Sequence, residues 1–128
     1  MITEEYVTFE TAQLLKENGF DVPTTTLYNQ NGDFGLCEGF TNGMKTLCNT
    51  DLTKYYRSDF ISAPSQAMAM RWLREDKKRI INAWFDGYDY QSEVGKPEDE
   101  IFTLIGDEFK TYEEAVEAAI KYCLENLI

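Results

Sequence analysis

The chain has 128 residues, of which 43% are hydrophobic and 14% aromatic, so it can bury a core and is not an intrinsically disordered sequence. It carries 23 acidic against 12 basic residues and no histidine, for a formal net charge of −11. This charge disfavours direct binding to nucleic acid and to anionic membranes, and we predict neither as a partner. It suits a basic protein partner, although acidity is also an ordinary means of keeping a protein soluble.

The length predicts a single domain over residues 1–128. Residues 1–10 hold three glutamates and no basic start to an apolar stretch, so we expect no signal peptide. No apolar run approaches the roughly 18 residues that a membrane span needs. The cysteines, Cys37, Cys48 and Cys123, are odd in number, and the chain does not need disulfide bonds to fold. We therefore predict reduced thiols in a cytoplasmic protein.

The first predicted elements are a helix and a β-hairpin. The helix runs from Thr8 to Asn18, with Thr8 as its N-cap and Gly19 as the left-handed residue that ends it. Thr24 to Gln30 is rich in β-branched residues and is followed by a turn signal. Phe34 to Phe40 is the predicted return strand.

The remaining chain predicts two more helices around further strands. Residues 41–61 are a long connection with, at most, a short strand near 54–57. A helix follows over 64–76, and Ile80 to Val94 is a strand pair or one long strand. Apolar residues on both of its faces favour a mostly covered sheet. Ile101 to Ile105 is a short apolar strand.

The last helix begins at a capping box, in which Thr111 is the N-cap and Glu114 follows three residues later. Together the elements predict an α+β fold, a single domain with three helices packed on antiparallel strand pairs. The predicted order is α-β-β-(loop)-α-β-β-α.

Three short motifs resemble known sites, and each fails at a decisive position. Residues 39–46 approach a phosphate-binding loop, but Met44 stands where a glycine must precede the lysine. Residues 29–33 alternate like the start of a calcium loop, but Phe34 takes the place of the required glycine. Residues 33–35 match three letters of a kinase signature in a chain too short for a kinase. We predict no cofactor and no metal site.

Catalytic residues are equally hard to find. Asp86 with Asp89, and Asp107 with Glu108, could be paired carboxylates, but acids are so frequent here that neighbours are expected by chance. Without histidine, the usual proton shuttle and metal ligand are missing, and a cysteine nucleophile lacks its usual partner. The sequence predicts no catalytic residue and a protein that is not an enzyme.

Two features are candidates for binding a partner. Five of the twelve basic residues lie between Arg71 and Arg79 and could bind a phosphate or an acidic partner, although a solvated helix end is the favoured interpretation. The aromatic residues from Trp84 to Tyr90 could form an exposed partner-binding surface, although we favour a place in the core and expect the tyrosines at the far end of the strand to be the first to reach solvent. The candidate partner-binding residues are Tyr88, Tyr90, Arg71, Arg74 and Lys78.

Three stretches together carry a resemblance to a known family: VTFETAQLLKENGFD at 7–21, SAPSQAMAMRWLRE at 62–75 and TYEEAVEAAI at 111–120. The chain resembles a family of small uncharacterised proteins encoded by phages, prophages and mobile elements of gut Bacteroidetes. The resemblance spans nearly the whole chain and is weakest over residues 31–59. The family has no activity to carry over, so the resemblance implies only a mobile-element accessory protein that works inside a bacterial cell.

Three functions stay open. The favoured one is a phage- or mobile-element-associated accessory protein that acts by protein–protein interaction. Its partner is unknown, and the negative charge favours a basic one. The second is an acidic DNA-mimic inhibitor of a DNA-binding protein, with the acids of 86–100 and 107–117 as its surface. The third is a small-molecule-binding module, which requires a concave pocket with converging polar groups. The oligomeric state also stays open.

Overall fold

The structure is a computed structural model that describes residues 4–128. In this part of the chain, helices are mixed with two three-stranded antiparallel sheets, which confirms the α+β class. The backbone forms two compact units, an N-terminal unit of Tyr6–Ser65 and a C-terminal unit of Gln66–Ile128 with Glu4 and Glu5. Whether the whole chain behaves as one domain stays a prediction.

The N-terminal unit contains short elements around one small sheet. Its strands lie in the order β2-β1-β3, and all neighbours are antiparallel. A π-helical turn, Leu52–Tyr56, follows its last helix. The helices and strands are α1 (Phe9–Glu17), β1 (Thr26–Tyr28), β2 (Phe34–Leu36), α2 (Cys37–Phe40), α3 (Asn49–Asp51) and β3 (Ile61–Ser62).

Helix α1 begins and ends as predicted. The Thr8 hydroxyl accepts a hydrogen bond from the Thr11 amide at 3.3 Å, which satisfies one of the free N–H groups of the first turn. Gly19 has a φ of +89°, a conformation that glycine adopts without steric cost. The Phe20 amide then donates to the Leu15 carbonyl, and the Phe20 ring is buried.

The prediction was wrong between residues 37 and 61. The return strand stops at Leu36, since α2 follows directly, and residues 54–57 fall in and beside the π-helical turn instead of a strand. The physical reason is a buried cluster to which the connecting segments contribute side chains. Local sequence patterns do not reveal such a cluster. Its members are Leu27, Cys37, Leu47, Leu52 and Phe60.

The C-terminal unit has longer, more regular elements. Its three strands form the order β4-β5-β6 with every neighbour antiparallel. Because residues 80–94 form a strand pair and not one long strand, the second half has one strand more than the predicted order contains. A 3₁₀ turn, Pro97–Asp99, connects the last two strands. The elements are α4 (Gln66–Asp76), β4 (Ile80–Phe85), β5 (Tyr90–Lys96), β6 (Ile101–Phe109) and α5 (Tyr112–Asn126).

Helix α5 covers one side of this sheet and packs on all three strands. The Thr111 hydroxyl accepts from the Glu114 amide at 3.1 Å, which confirms the N-cap, while the Glu114 carboxylate accepts from the Lys110 amide. Its buried stripe follows the helical repeat and consists of Ala115, Val116, Ala119, Ile120, Cys123 and Leu124. No helix within residues 4–128 combines the length and the apolar character needed to cross a bilayer.

The three long helices confirm the predicted ones, and the element order differs from the prediction by two short helices, the strand β3 and the additional strand of the second sheet. The second helix begins at Gln66, because the Gln66 amide donates to the Glu5 carbonyl rather than continuing a helix from Pro64. All three cysteines are free thiols, as predicted.

Candidate functional site

The two faces of the β4-β5-β6 sheet differ in their cover. Ser92 and Val94 of the central strand are fully buried on the side of α5. Residues that alternate with them point to the other side, because successive side chains on a strand face opposite ways. We call that side the open face. By the strand register, its residues are Ile80, Asn82, Trp84, Gln91, Glu93, Phe102 and Leu104.

Large apolar side chains of the open face are exposed. Trp84 is 38% exposed, Phe102 53% and Leu104 54%. The Phe102 ring lies over Gly95 on the neighbouring strand, where any larger residue would collide with it. Several large apolar side chains exposed on one face of a sheet mark an interaction surface more often than single exposed apolar residues do.

Acidic groups lie within and around the open face. Near its centre, the Asn82 amide donates to the Glu93 carboxylate at 3.1 Å and fixes its position between the apolar side chains. Exposed acids occupy the ends of the strands, with Asp107 and Glu108 in β6 and Glu98 to Glu100 before it. Two of them are in ion pairs, Glu98 with Arg79 and Asp99 with Lys96, and the others have no such pair in the described residues. The open face therefore combines apolar contact area with negative charge.

Asp86 shapes the β4–β5 turn at one end of this sheet. Hydrogen bonds from the Asp89 amide, the Gln91 side chain and the Tyr88 amide lower the pKa of the Asp86 carboxyl below its ordinary value. The group therefore stays ionised at neutral pH, and Asp89 in turn pairs with Lys110 at 3.0 Å. Both members of this predicted carboxylate pair have structural partners.

Trp84 and Phe85 are not core residues, so the favoured interpretation was wrong for them, whereas Tyr88 lies in solvent, as expected for the tyrosines at the far end of the strand. All three are exposed, and Tyr88 reaches 91% in the β4–β5 turn. The pattern misled because apolar residues on both faces of a strand look the same whether helices cover one side or both. Tyr90 is partly buried on the α5 side, where its ring contacts that of Tyr112.

The basic residues do not form one patch. Arg71 pairs with Glu75 on the exposed side of α4, and Arg74 is exposed beside it. Lys78 adopts a φ of +58° and donates to the Glu75 carbonyl at 2.7 Å. These three residues are exposed towards the end of α4 and just after it, as the favoured interpretation predicts. They lie before β4, whereas the two candidate tyrosines follow it. The six residues of β4 span about 20 Å, so the predicted partner-binding residues fall into two separate groups.

Arg79 contradicts the solvated interpretation. Its side chain is only 12% exposed and bonds to Glu98 at 2.7 Å and to the Leu127 carbonyl at 2.8 Å. Arginine is suited to this position because its planar head can donate in several directions at once. This basic residue therefore holds the unit together and is not available as a partner contact.

A separate open groove of about 440 Å³ lies in the N-terminal unit. The Thr50 amide and hydroxyl both donate to Asp21; although partial burial raises the pKa of that carboxyl, these bonds lower it overall. Lys16 donates to the carbonyls of Ser58 and Phe60, and burial lowers the pKa of its amine. The polar lining residues are Lys16, Asp21, Asn49, Thr50, Thr53 and Lys54. Because several of these groups already bond to one another or to the backbone, the groove offers few free polar contacts.

Within residues 4–128, no three cysteine, aspartate or glutamate side chains gather closely enough to hold a metal ion. The sequence-based reasoning also missed residues of the open face, namely Glu93, Phe102 and Leu104. A signal for them was present in the central strand. Gln91 and Glu93 alternate there with Ser92 and Val94, and such alternation indicates a sheet with one face in water.

Comparison with known proteins adds no relative. No protein-family model matches the chain, and no curated protein or solved structure matches it either.

Proposed function

We propose that this protein acts by binding another protein through the open face of its C-terminal unit. The observation that supports the proposal is the exposed set of Trp84, Phe102 and Leu104 on the side of the sheet that α5 leaves uncovered. Aromatic side chains are enriched in the cores of interfaces, because they bury a large area at little conformational cost.

The charge of the open face indicates the chemistry of the partner. Glu93 lies among the apolar side chains, and acids lie at the strand ends, so a partner is expected to present apolar residues together with lysine or arginine. Complementary charge speeds the encounter and excludes acidic competitors. The role of an accessory protein of a phage or mobile element rests on the family resemblance and stays a prediction.

The test is an affinity capture with matched baits. Wild-type protein and a Phe102→Ser/Leu104→Ser variant are each incubated with lysate of a gut Bacteroidetes bacterium, the source that the resemblance predicts. We expect one protein to be retained by the wild type and lost with the variant. A Phe40→Ser/Met44→Ser bait, altered at exposed apolar residues of the N-terminal unit, is the control and should retain it.

Equal retention by the wild type and the open-face variant would reject the proposal. Trp84 gives a second, direct readout, because it is partly exposed whereas Trp72, the other tryptophan, is buried. Binding of the captured protein should reduce the quenching of Trp84 fluorescence by acrylamide, and the Phe40→Ser/Met44→Ser variant should show the same reduction.

The same baits separate the two alternatives. A DNA mimic would lose its partner at high salt and to competing DNA, and it would be insensitive to removal of Phe102 and Leu104. A small-molecule-binding module would depend instead on the groove beside Asp21 and Thr50, whose lining is already largely paired.

A further inference from the structure

Strand β4 is an edge of its sheet with unpaired backbone groups. The Asp86 amide donates to the Asp89 carbonyl, so these two residues form a hydrogen-bonded pair at the end of the β4–β5 ladder. In an antiparallel ladder, such pairs alternate with pairs whose N–H and C=O groups point away from the partner strand. By that alternation, the N–H and C=O groups of Ile81, Ala83 and Phe85 point away from β5. In the described part of the chain, none of these groups has a backbone partner outside the sheet.

The sequence of this edge lacks the features that keep sheets apart. Residues 80–85 read Ile-Ile-Asn-Ala-Trp-Phe, with no charge, proline or glycine, in a chain with 27% charged residues. The opposite edge, β6, has two register shifts in its pairing with β5 and carries Asp107 and Glu108. Soluble proteins protect edge strands with such bulges and charges, so β4 is the edge suited to pairing.

We infer that β4 pairs antiparallel with β4 of a second copy of this chain. A two-fold axis at Ala83 places Ala83 opposite Ala83 of the second copy, and Ile81 opposite Phe85. Every outward-facing N–H and C=O of these residues then has a partner in the other copy, and an aromatic residue faces a β-branched one. No charged residue lies within the paired segment, although each chain carries a net charge of −11.

The flanks of β4 explain why the occupant is a second copy. Lys77 and Lys78 precede the strand, and Asp86 and Asp89 follow it; within the chain, Lys77 also pairs with Asp76 and Asp89 with Lys110. In an antiparallel self-pair, the basic flank of each copy lies near the acidic flank of the other, and the symmetry makes this contact twice. The charge pattern of the strand is therefore complementary to itself.

The pairing joins two three-stranded sheets into one continuous sheet. The symmetry axis is perpendicular to the sheet, because paired residues of antiparallel strands point to the same face. Both open faces therefore lie on the same side. The inference does not depend on the proposed function, since it concerns the edge of the sheet rather than its open face.

Sedimentation equilibrium over a range of concentrations tests the pairing. We expect the wild-type chain to reach twice the mass of one chain. Ala83→Pro removes an outward N–H and leaves the ladder to β5 intact, so the dimer dissociation constant should rise by about a hundredfold. Leu104→Pro, at an outward N–H of β6, is the control and should leave the mass unchanged.

Two further variants keep the test independent of proline strain. Phe85→Lys changes an exposed side chain and should raise the dissociation constant about tenfold or more. Lys77→Gln/Lys78→Gln should raise it roughly threefold to tenfold, whereas Arg71→Gln/Arg74→Gln, with the same change in net charge, should not. Circular dichroism checks that each variant is folded.

A wild-type chain that stays monomeric at every concentration overturns the inference and leaves the β4 edge to a strand from a different protein. A dimer that Ala83→Pro and Phe85→Lys, both folded, leave intact also overturns it, because the contact must then lie elsewhere.

Discussion

The two compact units satisfy their buried backbone in different ways. In the N-terminal unit, short strands leave much of the chain irregular, and buried polar side chains bond to the backbone in place of ladders. Asn49 donates to the Phe20 carbonyl at 2.8 Å and accepts from the Ser62 amide at 2.9 Å. In the C-terminal unit, three paired strands and α5 satisfy most groups among themselves. Each unit also buries one hydroxyl without a partner in the described residues, that of Ser62 in the N-terminal unit and that of Ser92 in the β4-β5-β6 sheet.

The comparison teaches that a buried polar side chain stabilises the fold where it bonds to backbone groups that no ladder satisfies, as Asn49 does, and not where its own hydroxyl is unpaired, as in Ser92. Loss of a paired side chain in the N-terminal unit leaves backbone groups buried and unsatisfied, which costs more than the hydrogen bonds themselves contribute. Loss of the unpaired Ser92 hydroxyl removes the desolvation cost of burying a polar group without a hydrogen bond. The predictions below measure this difference.

The largest effect is expected from Asn49→Ala. The substitution removes the hydrogen bond to the Phe20 carbonyl and leaves the buried Ser62 amide without its bond to Asn49, so the free energy of unfolding should fall by about 2–4 kcal/mol. Urea denaturation measures the change. Asn42→Ala, at an exposed loop position, is the control and should stay within about 0.5 kcal/mol of the wild type. A similarly small change for Asn49→Ala would show that the hydrogen bonds of this side chain do not stabilise the N-terminal unit.

A pH effect of intermediate size is expected from Cys123, which lies in the buried stripe of α5. Burial raises the pKa of its thiol from 9.0 to about 11, although the charge of Arg79 acts in the opposite direction. The unfolded chain therefore loses this proton first as the pH rises. The contribution of the Cys123 thiol to the free energy of unfolding is fully present below pH 9. It should fall by about 1.4 kcal/mol per pH unit from there towards pH 11.

The contribution of Cys123 is the difference in slope between the wild type and Cys123→Ala in urea denaturation from pH 8 to pH 11. Cys48→Ala, which keeps the Cys123 thiol, should retain that part of the slope. Equal slopes for the wild type and Cys123→Ala would contradict the prediction.

The smallest effect has the opposite sign. Ser92→Ala removes a buried hydroxyl that has no partner in the described residues, so the free energy of unfolding should rise by about 1 kcal/mol. Thr26→Val is the matched change in the N-terminal unit, where the hydroxyl donates to the Ala63 carbonyl at 2.6 Å, and it should lower stability by about 1 kcal/mol. Thermal unfolding of both variants gives the comparison, and changes of the same sign would remove the distinction between paired and unpaired hydroxyls.

The same difference explains how far the sequence predicts the fold. The helix that begins at Thr111 was predictable, because its N-cap and apolar repeat are local signals. The segment from Cys37 to Phe60 was not, because its course depends on bonds such as the one between Asn49 and Phe20, which are 29 positions apart. Local propensity cannot report such contacts.

The candidate site was predictable only in part. Tyr88 was expected to reach solvent and does, but Trp84 was placed in the core, because period-two patterns show how apolar a strand is and not how many layers cover it. Phe102 and Leu104 were identified as parts of an apolar strand, but the sequence did not assign them to either face of the sheet. Their exposure follows from α5 covering one side of the sheet, which is a property of the tertiary fold.

Arg79 has a consequence for the ends of two helices. Its guanidinium bonds to the carbonyls of Lys77 and Lys78, just after α4, and to that of Leu127 at the end of α5. The carbonyl ends of both helices carry partial negative charge, so a single cation compensates two helix dipoles. Fraying of the two helices is thereby coupled, and amide hydrogen exchange should speed up at both ends together when this one side chain is removed.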